Sequence, residues 1–427
     1  MSKSLPNSLP EWLGYIERQH PATIALGLDR VRTVAARMGL QHPATHVISV
    51  AGTNGKGSTV ALIEAIARAQ GLRVGAYTSP HLQHYNERVR IDGVDVQDAA
   101  LLAGFAAVAA ARGDTPLTYF EYGTLCALWL FQREPLDLVV LEVGLGGRLD
   151  AVNLVDADAA IITTVDLDHQ EWLGHDIDTI GREKVGIARA FKPLILGDDD
   201  PPASVLRHAY AIGAPAWRIA NDFFAESVDA QHWRWREVGY AITLPLPMQA
   251  LGAPVQLRNA ACAIAALRAL DLPLEDAAIV QGVANARIAG RLQRFERAGV
   301  EVLVDVGHNP QAARALADWL HTQPQRRTVA VYAALADKDA LPVVQALVDG
   351  VAHWHLAGSQ SYGPRGQSAQ ALVQRLAGSA AAAGHCHADV ATALAAALQD
   401  ATAHGRVLVF GSFHAAAQAM QWLNASD

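Results

Sequence analysis

The chain has 427 residues, of which 51% are hydrophobic, enough for two or three domains with sizeable cores. Its formal net charge of −8 gives no general electrostatic case for nucleic-acid binding. The N-terminus has no apolar signal region and no uninterrupted apolar run could span a bilayer, so we expect a soluble, cytoplasmic protein without membrane partners.

Two helices are predicted first, over residues 10–20 and 23–40, and a glycine-rich segment follows them. Residues 46–51 are mostly apolar and predict a buried strand, and an apolar helical pattern begins at Val60. Between them lies GTNGKGST, residues 52–59. Glycines let such a loop point its N–H groups inward, and the helix N-terminus and Lys56 add positive charge. This order predicts a polyphosphate site.

The spacing in this loop departs from the common phosphate loop, G-x-x-x-x-G-K-[ST]. Here Lys56 is followed by Gly57, and the hydroxyl residue comes one position later, at Ser58. A glycine-rich turn of purely structural character is the alternative. The strand before it and the helix after it favour phosphate binding.

Four further segments carry polar groups next to predicted strands or helices. A strand over 73–78 is followed by Ser79, whose hydroxyl is well placed for a metal, although most Ser-Pro pairs are plain turns. A strand over 138–142 ends in Glu142, and one over 159–165 is followed by His169. Carboxyl ends of parallel strands are where such sheets bind ligands. The aromatic segment LTYFEYG, residues 117–123, opens a helix and has core packing as its alternative reading.

The strand and helix alternation predicts a parallel, doubly wound sheet up to about residue 286. A strand over 192–196, short hairpins over 216–250 and helices over 257–270 and 274–285 complete this part. The Arg-rich residues 287–298 break the pattern and are interpreted as a linker. A second α/β unit is then predicted, with strands over 302–306, 329–333, 353–356 and 407–410.

The ordered set of motifs resembles the folylpolyglutamate synthase/dihydrofolate synthase family of the Mur ligase superfamily, in its bifunctional bacterial form. The matching segments are GTNGKGS, SPHLQHYNERVRIDG, LTYFEYGTL, LEVGLGGRLDAVN, LDHQEWLG, IGREKVGI, LRNAACAIAAL, AGRLQ, DVGHNP and GSFH. The resemblance implies an α/β fold: a P-loop-containing, Mur-ligase-like N-terminal domain over 1–286, a linker over 287–298, and a smaller Rossmann-like C-terminal domain over 299–427.

The implied activity is an ATP-dependent amide ligase that joins L-glutamate to dihydropteroate and to reduced folates. A carboxylate does not react with an amine at neutral pH, because its leaving group is oxide. Transfer of the γ-phosphoryl group of ATP makes an acyl phosphate, which the amine attacks. That chemistry needs positioned phosphates, Mg²⁺ and exclusion of water. The resemblance also suggests a monomer.

The resemblance assigns residues to each part of this reaction. The predicted ATP contacts are Thr53, Asn54, Gly55, Lys56, Gly57, Ser58, Asn259, Arg291 and Asp305. Two Mg²⁺ ions are expected at Ser79, Glu142, His169 and a carbamylated Lys184. The predicted pterin contacts are Leu26, Gly27, Leu28, Thr118, Tyr119, Phe120, Glu121, Leu149, Asp150 and Ala151. The predicted glutamate contacts are His308 and Ser412, and the predicted catalytic residues are Lys56, Lys184 and His308.

Several of these assignments have ordinary structural alternatives. Residue type alone favours a surface lysine at position 184, paired with Glu183 or nearby aspartates. Leu26 and Leu28 suit a helix core, and Ser412 suits a turn or a cap. At the level of the whole chain the rivals are a muropeptide ligase, a non-catalytic ATP-binding regulator and a kinase-like NTPase. Buried charges without a task are costly, which disfavours an inert binder.

Overall fold

A computed structural model describes residues 5–22, 24–246, 253–270 and 272–425. The chain divides into two compact units, one of residues 1–250 and 256–287, the other of residues 251–255 and 288–427. Within the described residues, no helix is long and apolar enough to cross a membrane.

An eight-stranded sheet forms the centre of the N-terminal unit, in the order β4-β3-β2-β5-β1-β6-β7-β8. Its strands are β1 His46–Ala51, β2 Val74–Tyr77, β3 Val89–Ile91, β4 Val94–Asp95, β5 Leu138–Glu142, β6 Ala159–Ile162, β7 Leu194–Leu196 and β8 Ala216–Arg218. Six neighbouring strands are parallel, namely β2, β5, β1, β6, β7 and β8. The strands β3 and β4 pair antiparallel at one edge of the sheet. The predicted parallel sheet is therefore confirmed, with an antiparallel hairpin added.

Helices accompany this sheet along the N-terminal unit. They are α1 Leu9–Glu17, α2 Asp29–Met38, α3 Lys56–Ala69, α4 Asp98–Arg112, α5 Tyr119–Phe131, α6 Gln170–Leu173, α7 Ile177–Val185, α8 Ala203–Ile212, α9 Pro254–Ala269 and α10 Asp276–Asn285. The helix predicted over 23–40 was wrong at its start, because Gly27 has a φ of 143° and the chain becomes helical only at Asp29. Thr23 lies outside the described residues.

A three-stranded antiparallel sheet belongs to the same unit. It consists of β9 Phe223–Ser227, β10 His232–Glu237 and β11 Tyr240–Pro245. Trp233 and Trp235 alternate along β10 and both are fully buried, as expected for one face of a strand. The hairpins predicted over 216–250 are confirmed here, except that residues 216–218 join the large sheet. Residues 247–250 lie outside the described chain.

The C-terminal unit is built on a six-stranded sheet in the order β12-β13-β17-β14-β15-β16. Its strands are β12 Gln293–Arg297, β13 Val300–Val304, β14 Thr328–Tyr332, β15 His353–Ala357, β16 His385–His387 and β17 Arg406–Phe410. Its helices are α11 Pro310–Thr322, α12 Ala340–Gln345, α13 Ala369–Arg375, α14 Val390–Ala401 and α15 Phe413–Ala425. All strands are parallel apart from β12.

The predicted linker over 287–298 needs a correction in its second half. Residues Gln293–Arg297 form the edge strand β12, paired antiparallel with β13. Among the described residues this strand pairs with β13 alone, and three of its five residues, Arg294, Glu296 and Arg297, are charged. Charged side chains are common on such edges, where they discourage pairing with other chains.

Candidate active site

The glycine-rich loop joins the end of β1 to the start of α3. Gly55 has a φ of 87°, a conformation that side-chain-bearing residues rarely adopt, and a Cβ there would lie 2.5 Å from Oδ1 of Asn259. Residues after β6 hold the loop: the N–H groups of Thr53 and Asn54 donate to O and Oγ1 of Thr164, at 2.8 and 3.0 Å. These hydrogen bonds attach the loop to the segment that follows β6.

Lys56 and Ser58 occupy the first turn of α3. Nζ of Lys56 donates to the carbonyl oxygens of Gly52 and Thr53, at 3.0 and 3.3 Å, so its ammonium group lies over the loop. Ser58 is buried, and Nε2 of Gln256 lies 3.3 Å from its Oγ. This places the cation where the sequence predicts phosphate groups.

Glu142 brings a carboxylate to the same loop. The register of β1 and β5 pairs Val50 with Glu142, so the side chain emerges at the carboxyl edge beside the loop. Its Oε2 accepts the N–H of Ser79 at 3.0 Å and lies 3.5 Å from a Cβ built on Gly57. A Cβ at this position would therefore be in van der Waals contact with the carboxylate. The structure thus brings together two predicted metal ligands, Ser79 and Glu142, and the loop.

Lys184 is buried, which rules out the surface lysine that residue type alone favours. Glu183 pairs instead with Arg148 at 2.8 Å. Burial, and then the neighbouring Lys56, lower the pKa of Lys184 to about 7, while Asp168 acts in the opposite direction. Burial therefore favours the neutral amine over the ammonium form.

His169 and Asp168 lie in the loop after β6, next to this lysine. Oδ1 of Asp168 accepts the N–H of His169 at 2.9 Å, and its Oδ2 lies 3.9 Å from Nε2 of the same histidine. The predicted ligand set named His169 and left out Asp168. Carboxylate and hydroxyl oxygens with one imidazole are donor types that suit Mg²⁺ or Mn²⁺.

The segments predicted to bind the pterin are joined by hydrogen bonds within the N-terminal unit. The N–H of Gly27 donates to the carbonyl oxygen of Leu149 at 3.2 Å. Arg30 donates to the carbonyl oxygen of Ala25 at 2.6 Å and to Oε1 of Glu121 at 2.9 Å. These bonds bring together the chain around Leu26 and Leu28, the start of α5 and the loop before Ala151.

Glu121 and Asp150 also have structural tasks in these segments. Glu121 accepts the N–H of Thr118, while Oγ1 of Thr118 accepts the N–H of Glu121, so the two cap α5 reciprocally. Asp150 accepts the N–H groups of Leu145 and Val152. Burial raises the pKa of Asp150 to about 7, against these hydrogen bonds and the charge of Lys56.

Two aromatic side chains of the LTYFEYG segment lie in different surroundings. Phe120 is half-buried beside Gly144, where a Cβ would lie 2.7 Å from its ring. Tyr119 packs edge-on against Tyr85 and under the guanidinium group of Arg88. Phe120 therefore adjoins the loop that follows Glu142, whereas Tyr119 belongs to an aromatic cluster.

The C-terminal unit brings its predicted site residues to the carboxyl ends of β13 and β17, which are adjacent strands. Asp305 is buried and accepts the N–H groups of Leu292 and Gly307, at 2.8 and 2.7 Å. Burial raises the pKa of Asp305, although nearby Arg291 opposes the shift. Four predicted residues, Arg291, Asp305, His308 and Ser412, therefore meet at one edge of this sheet.

Phe413 joins this group, and Ser412 has a capping role within it. Arg291 lies over the ring of Phe413 at 5.3 Å, and the ring of His308 is 6.3 Å from it. Oγ of Ser412 donates to the carbonyl oxygen of Ala333 at 2.9 Å and accepts the N–H of Ala415 at 3.0 Å. Its role in glutamate binding stays a prediction.

Gln256 is a residue that sequence reasoning missed. It is buried on α9, and its Oε1 accepts from Nδ2 of Asn259 at 3.0 Å while its Nε2 reaches Ser58. It thereby connects a predicted ATP contact, Asn259, to the phosphate loop. The signal was weak, because only its position three residues before Asn259 on a helix could have indicated it.

The fold and this site define an ATP-dependent ligase of the Mur type. The model of the Mur ligase middle domain matches residues 50–267, and that of the Mur ligase glutamate ligase domain matches residues 290–413. The chain is 45% identical over 419 residues to the dihydrofolate synthase/folylpolyglutamate synthase of Escherichia coli (strain K12), covering 98% of this chain and 96% of that protein. The corresponding Haemophilus influenzae protein is 38% identical, with 98% of each chain covered.

Solved structures agree with these sequence relatives. Escherichia coli FolC in complex with DHPP and ADP matches with a TM-score of 0.92 and 44% identity, covering 98% of both chains. The Yersinia pestis bifunctional enzyme complexed with AMPPNP and a Mn ion matches with a TM-score of 0.91 and 43% identity, covering 99% of this chain and all of that one. The chain belongs to the dihydrofolate synthase/folylpolyglutamate synthase family, and the predicted family and fold class are confirmed.

Proposed function

We propose that this chain uses ATP to join L-glutamate to dihydropteroate, giving dihydrofolate, and also adds glutamate to tetrahydrofolate species. The observation that carries the proposal is the meeting of Lys56, Glu142 and Lys184 at one sheet edge. Relatives that match over nearly the whole chain bear both activities in their names.

Activation of the carboxylate is the step that the N-terminal unit serves. The N–H groups at the start of α3 and Lys56 bind the ATP phosphates, and Lys56 neutralises charge as the γ-phosphoryl group moves to the acceptor carboxylate. The product is an acyl phosphate, and ADP leaves. The glutamate amine then attacks the acyl carbon, and the resulting tetrahedral intermediate releases phosphate and forms the amide.

Metal binding is assigned to the carboxyl edge of the large sheet. Ser79 and Glu142 would hold one Mg²⁺, and Glu142, His169 and the modified Lys184 a second. Asp168 adds a carboxylate next to His169 and Lys184. When bound, the divalent ion neutralises negative charge on the phosphates. A related bifunctional enzyme was solved with Mn, AMPPNP and L-glutamate, which supports a divalent cation.

Carbamylation of Lys184 is consistent with its surroundings. Only the neutral amine attacks CO₂, and the lowered pKa of about 7 makes that form available. The amine nitrogen forms a bond to the CO₂ carbon, the electron pair of one C=O bond moves to oxygen, and one proton leaves the nitrogen, so the neutral amine becomes a carboxylate-like anion. That change removes the repulsion between Lys184 and Lys56 and supplies oxygen atoms that suit Mg²⁺.

The remaining substrate contacts are assigned to each unit in turn. The pterin is assigned to the segments joined by Gly27, Arg30 and Glu121, with Phe120 offering a ring face. Arg291 and Asp305 are proposed as further ATP contacts, and His308 and Ser412 as glutamate contacts. We propose that the enzyme acts as a monomer.

The deciding experiment measures ATP-dependent incorporation of labelled glutamate with Mg²⁺ and bicarbonate present. One reaction contains dihydropteroate and the other a tetrahydrofolate. Product in both reactions is expected. Product in one alone would leave a monofunctional enzyme, and product in neither would contradict the substrate assignment and direct attention to muropeptide acceptors.

A further inference from the structure

Four histidines lie on one face of two neighbouring strands of the C-terminal sheet. His353 and His355 are two positions apart on β15, and His385 and His387 are two apart on the edge strand β16. Side chains two residues apart on a strand point to the same face. The register pairs His355 with His385, so the four imidazoles gather together.

Asp400, near the end of α14, completes this cluster. Its Oδ2 is hydrogen-bonded to Nδ1 of His353 and lies 3.4 Å from Nε2 of His355. The three ligand atoms lie within 4.8 Å of one another. Ligand atoms about 2 Å from a Zn²⁺ ion are separated by roughly 3.3–3.6 Å in a tetrahedron, so changes of about 1 Å in the separations would accommodate the ion.

His385 is the candidate for a fourth position. Its ring lies 4.8 Å from that of His353 and 5.5 Å from that of His355. It is also exposed, and the strand that carries it is at the sheet edge. An ion could therefore enter from solvent without opening the core.

His387 and Arg327 are placed to orient two residues of the cluster, His355 and Asp400. Nδ1 of His355 and Nε2 of His387 are 2.9 Å apart, so a proton on Nδ1 leaves Nε2 of His355 free to act as a ligand. Arg327 pairs with Oδ1 of Asp400, which leaves Oδ2 to the histidines. A second hydrogen bond to the ligating imidazole and another to the carboxylate are typical around protein metal sites.

The cluster is separate from the active-site residues of its own unit. Asp305 follows the carboxyl end of β13 and Ser412 that of β17. His353 is the first residue of β15, and Asp400 precedes the start of β17, so both lie at the amino edge of the parallel strands. The reaction proposed above makes no use of this edge.

We propose that His353, His355 and Asp400, with His385 in the fourth position, bind a divalent transition-metal ion of the Zn²⁺ type. Imidazole-rich sets suit Zn²⁺, Ni²⁺ or Cu²⁺ and disfavour Mg²⁺, which prefers oxygen ligands. The ion would join β15, β16 and α14, so it would stabilise the edge of the sheet. Its role is structural, and it leaves the ligase chemistry unchanged.

The test uses the full chain, without a histidine tag, in a buffer freed of transition metals and containing excess Mg²⁺ and ADP to occupy the active site. Zn²⁺ is added, the protein is dialysed, and its zinc content is measured by mass spectrometry. We expect about one Zn²⁺ per chain in the wild type and in His321→Gln, an exposed-histidine control. The double variant His353→Gln/His355→Gln should lose that ion, with affinity lowered more than about 100-fold.

Two further measurements separate the proposal from its alternatives. Co²⁺ should give the intense visible bands of a tetrahedral site in the wild type and not in the double variant. Zn²⁺ should raise the unfolding temperature of the wild type and of His321→Gln and not that of the double variant. If the double variant fails to fold, Asp400→Asn and His385→Gln take its place, with the same expected loss. Equal zinc content in all variants, or zinc lost only in Glu142→Gln, would overturn the proposal.

Discussion

Lys184 is the residue at which chemistry and burial are most closely connected. A buried ammonium near a second lysine is unfavourable, and both effects lower its pKa to about 7. Carbamylation would convert this unfavourable cation into an anion beside the proposed metal ligands. The activity should therefore depend on the side chain itself and not only on the shape of its helix.

Replacing Lys184 by Ala should reduce glutamate incorporation by at least about 100-fold, because an anionic group is lost where phosphate chemistry needs a metal. Short carboxylates such as acetate or propionate should restore part of the activity by supplying oxygens in the space left. The measurement is initial rate against carboxylate concentration. Lys192→Ala, an exposed lysine, should keep wild-type rates without any response to carboxylate.

Normal activity of Lys184→Ala in the absence of added carboxylate would contradict the carbamate proposal. Activity that is lost and fails to respond to any carboxylate would point to a packing role instead. A thermal unfolding scan of each variant separates that case, because a packing defect lowers the unfolding temperature as well.

At the scale of elements, the loop between β1 and α3 depends on its glycine conformations. Gly55 lies in this loop, and Gly71 lies just after the end of α3. Their φ angles are nearly the same, 87° and 89°, but their surroundings differ. A Cβ at Gly55 would meet the Asn259 side chain at 2.5 Å, whereas a Cβ at Gly71 would meet nothing within 4 Å. Alanine substitutions at these two positions therefore distinguish the effect of backbone strain from a disturbance of the proposed nucleotide site.

Both Gly55→Ala and Gly71→Ala should lower the free energy of unfolding by about 1–2 kcal/mol, the cost of a left-handed conformation for a residue with a side chain. Only Gly55→Ala should weaken ADP binding, by more than about tenfold, because Asn259 must move from its hydrogen bond with Gln256. Calorimetric titration with MgADP measures this. Equal ADP affinity in the two variants would show that the contact with Asn259 is unimportant.

Sequence patterns predicted most of these elements but not the environment of every residue. Strand and helix alternation located the large sheet, and the carboxyl ends of its strands located Glu142 and His169. The buried face of α7 contains Ile180, Gly181 and Lys184 at helical spacing. This spacing indicated a buried position for Lys184, although lysine is usually exposed. Contacts between distant segments, such as Gln256 with Ser58, depend on tertiary packing and left no local pattern.

For the whole molecule, a single phosphate loop must serve both proposed ligations. The sequence contains one GTNGKGS segment, and its lysine lies over the loop carbonyls. Dihydropteroate and tetrahydrofolate acceptors would then use the same ATP and the same acyl-phosphate chemistry. The two activities should consequently respond together to any change in phosphate binding.

Lys56→Ala should lower both activities by at least about 100-fold and by the same factor, because it removes a cation that stabilises charge in the phosphoryl transfer. Dihydropteroate should also inhibit glutamylation of tetrahydrofolate in the wild type. Parallel rate measurements with each acceptor test this, and Lys192→Ala should leave both rates and their ratio unchanged. Loss of one activity with retention of the other would require a second activation site, because one loop cannot fail for a single acceptor while still transferring phosphate to the other.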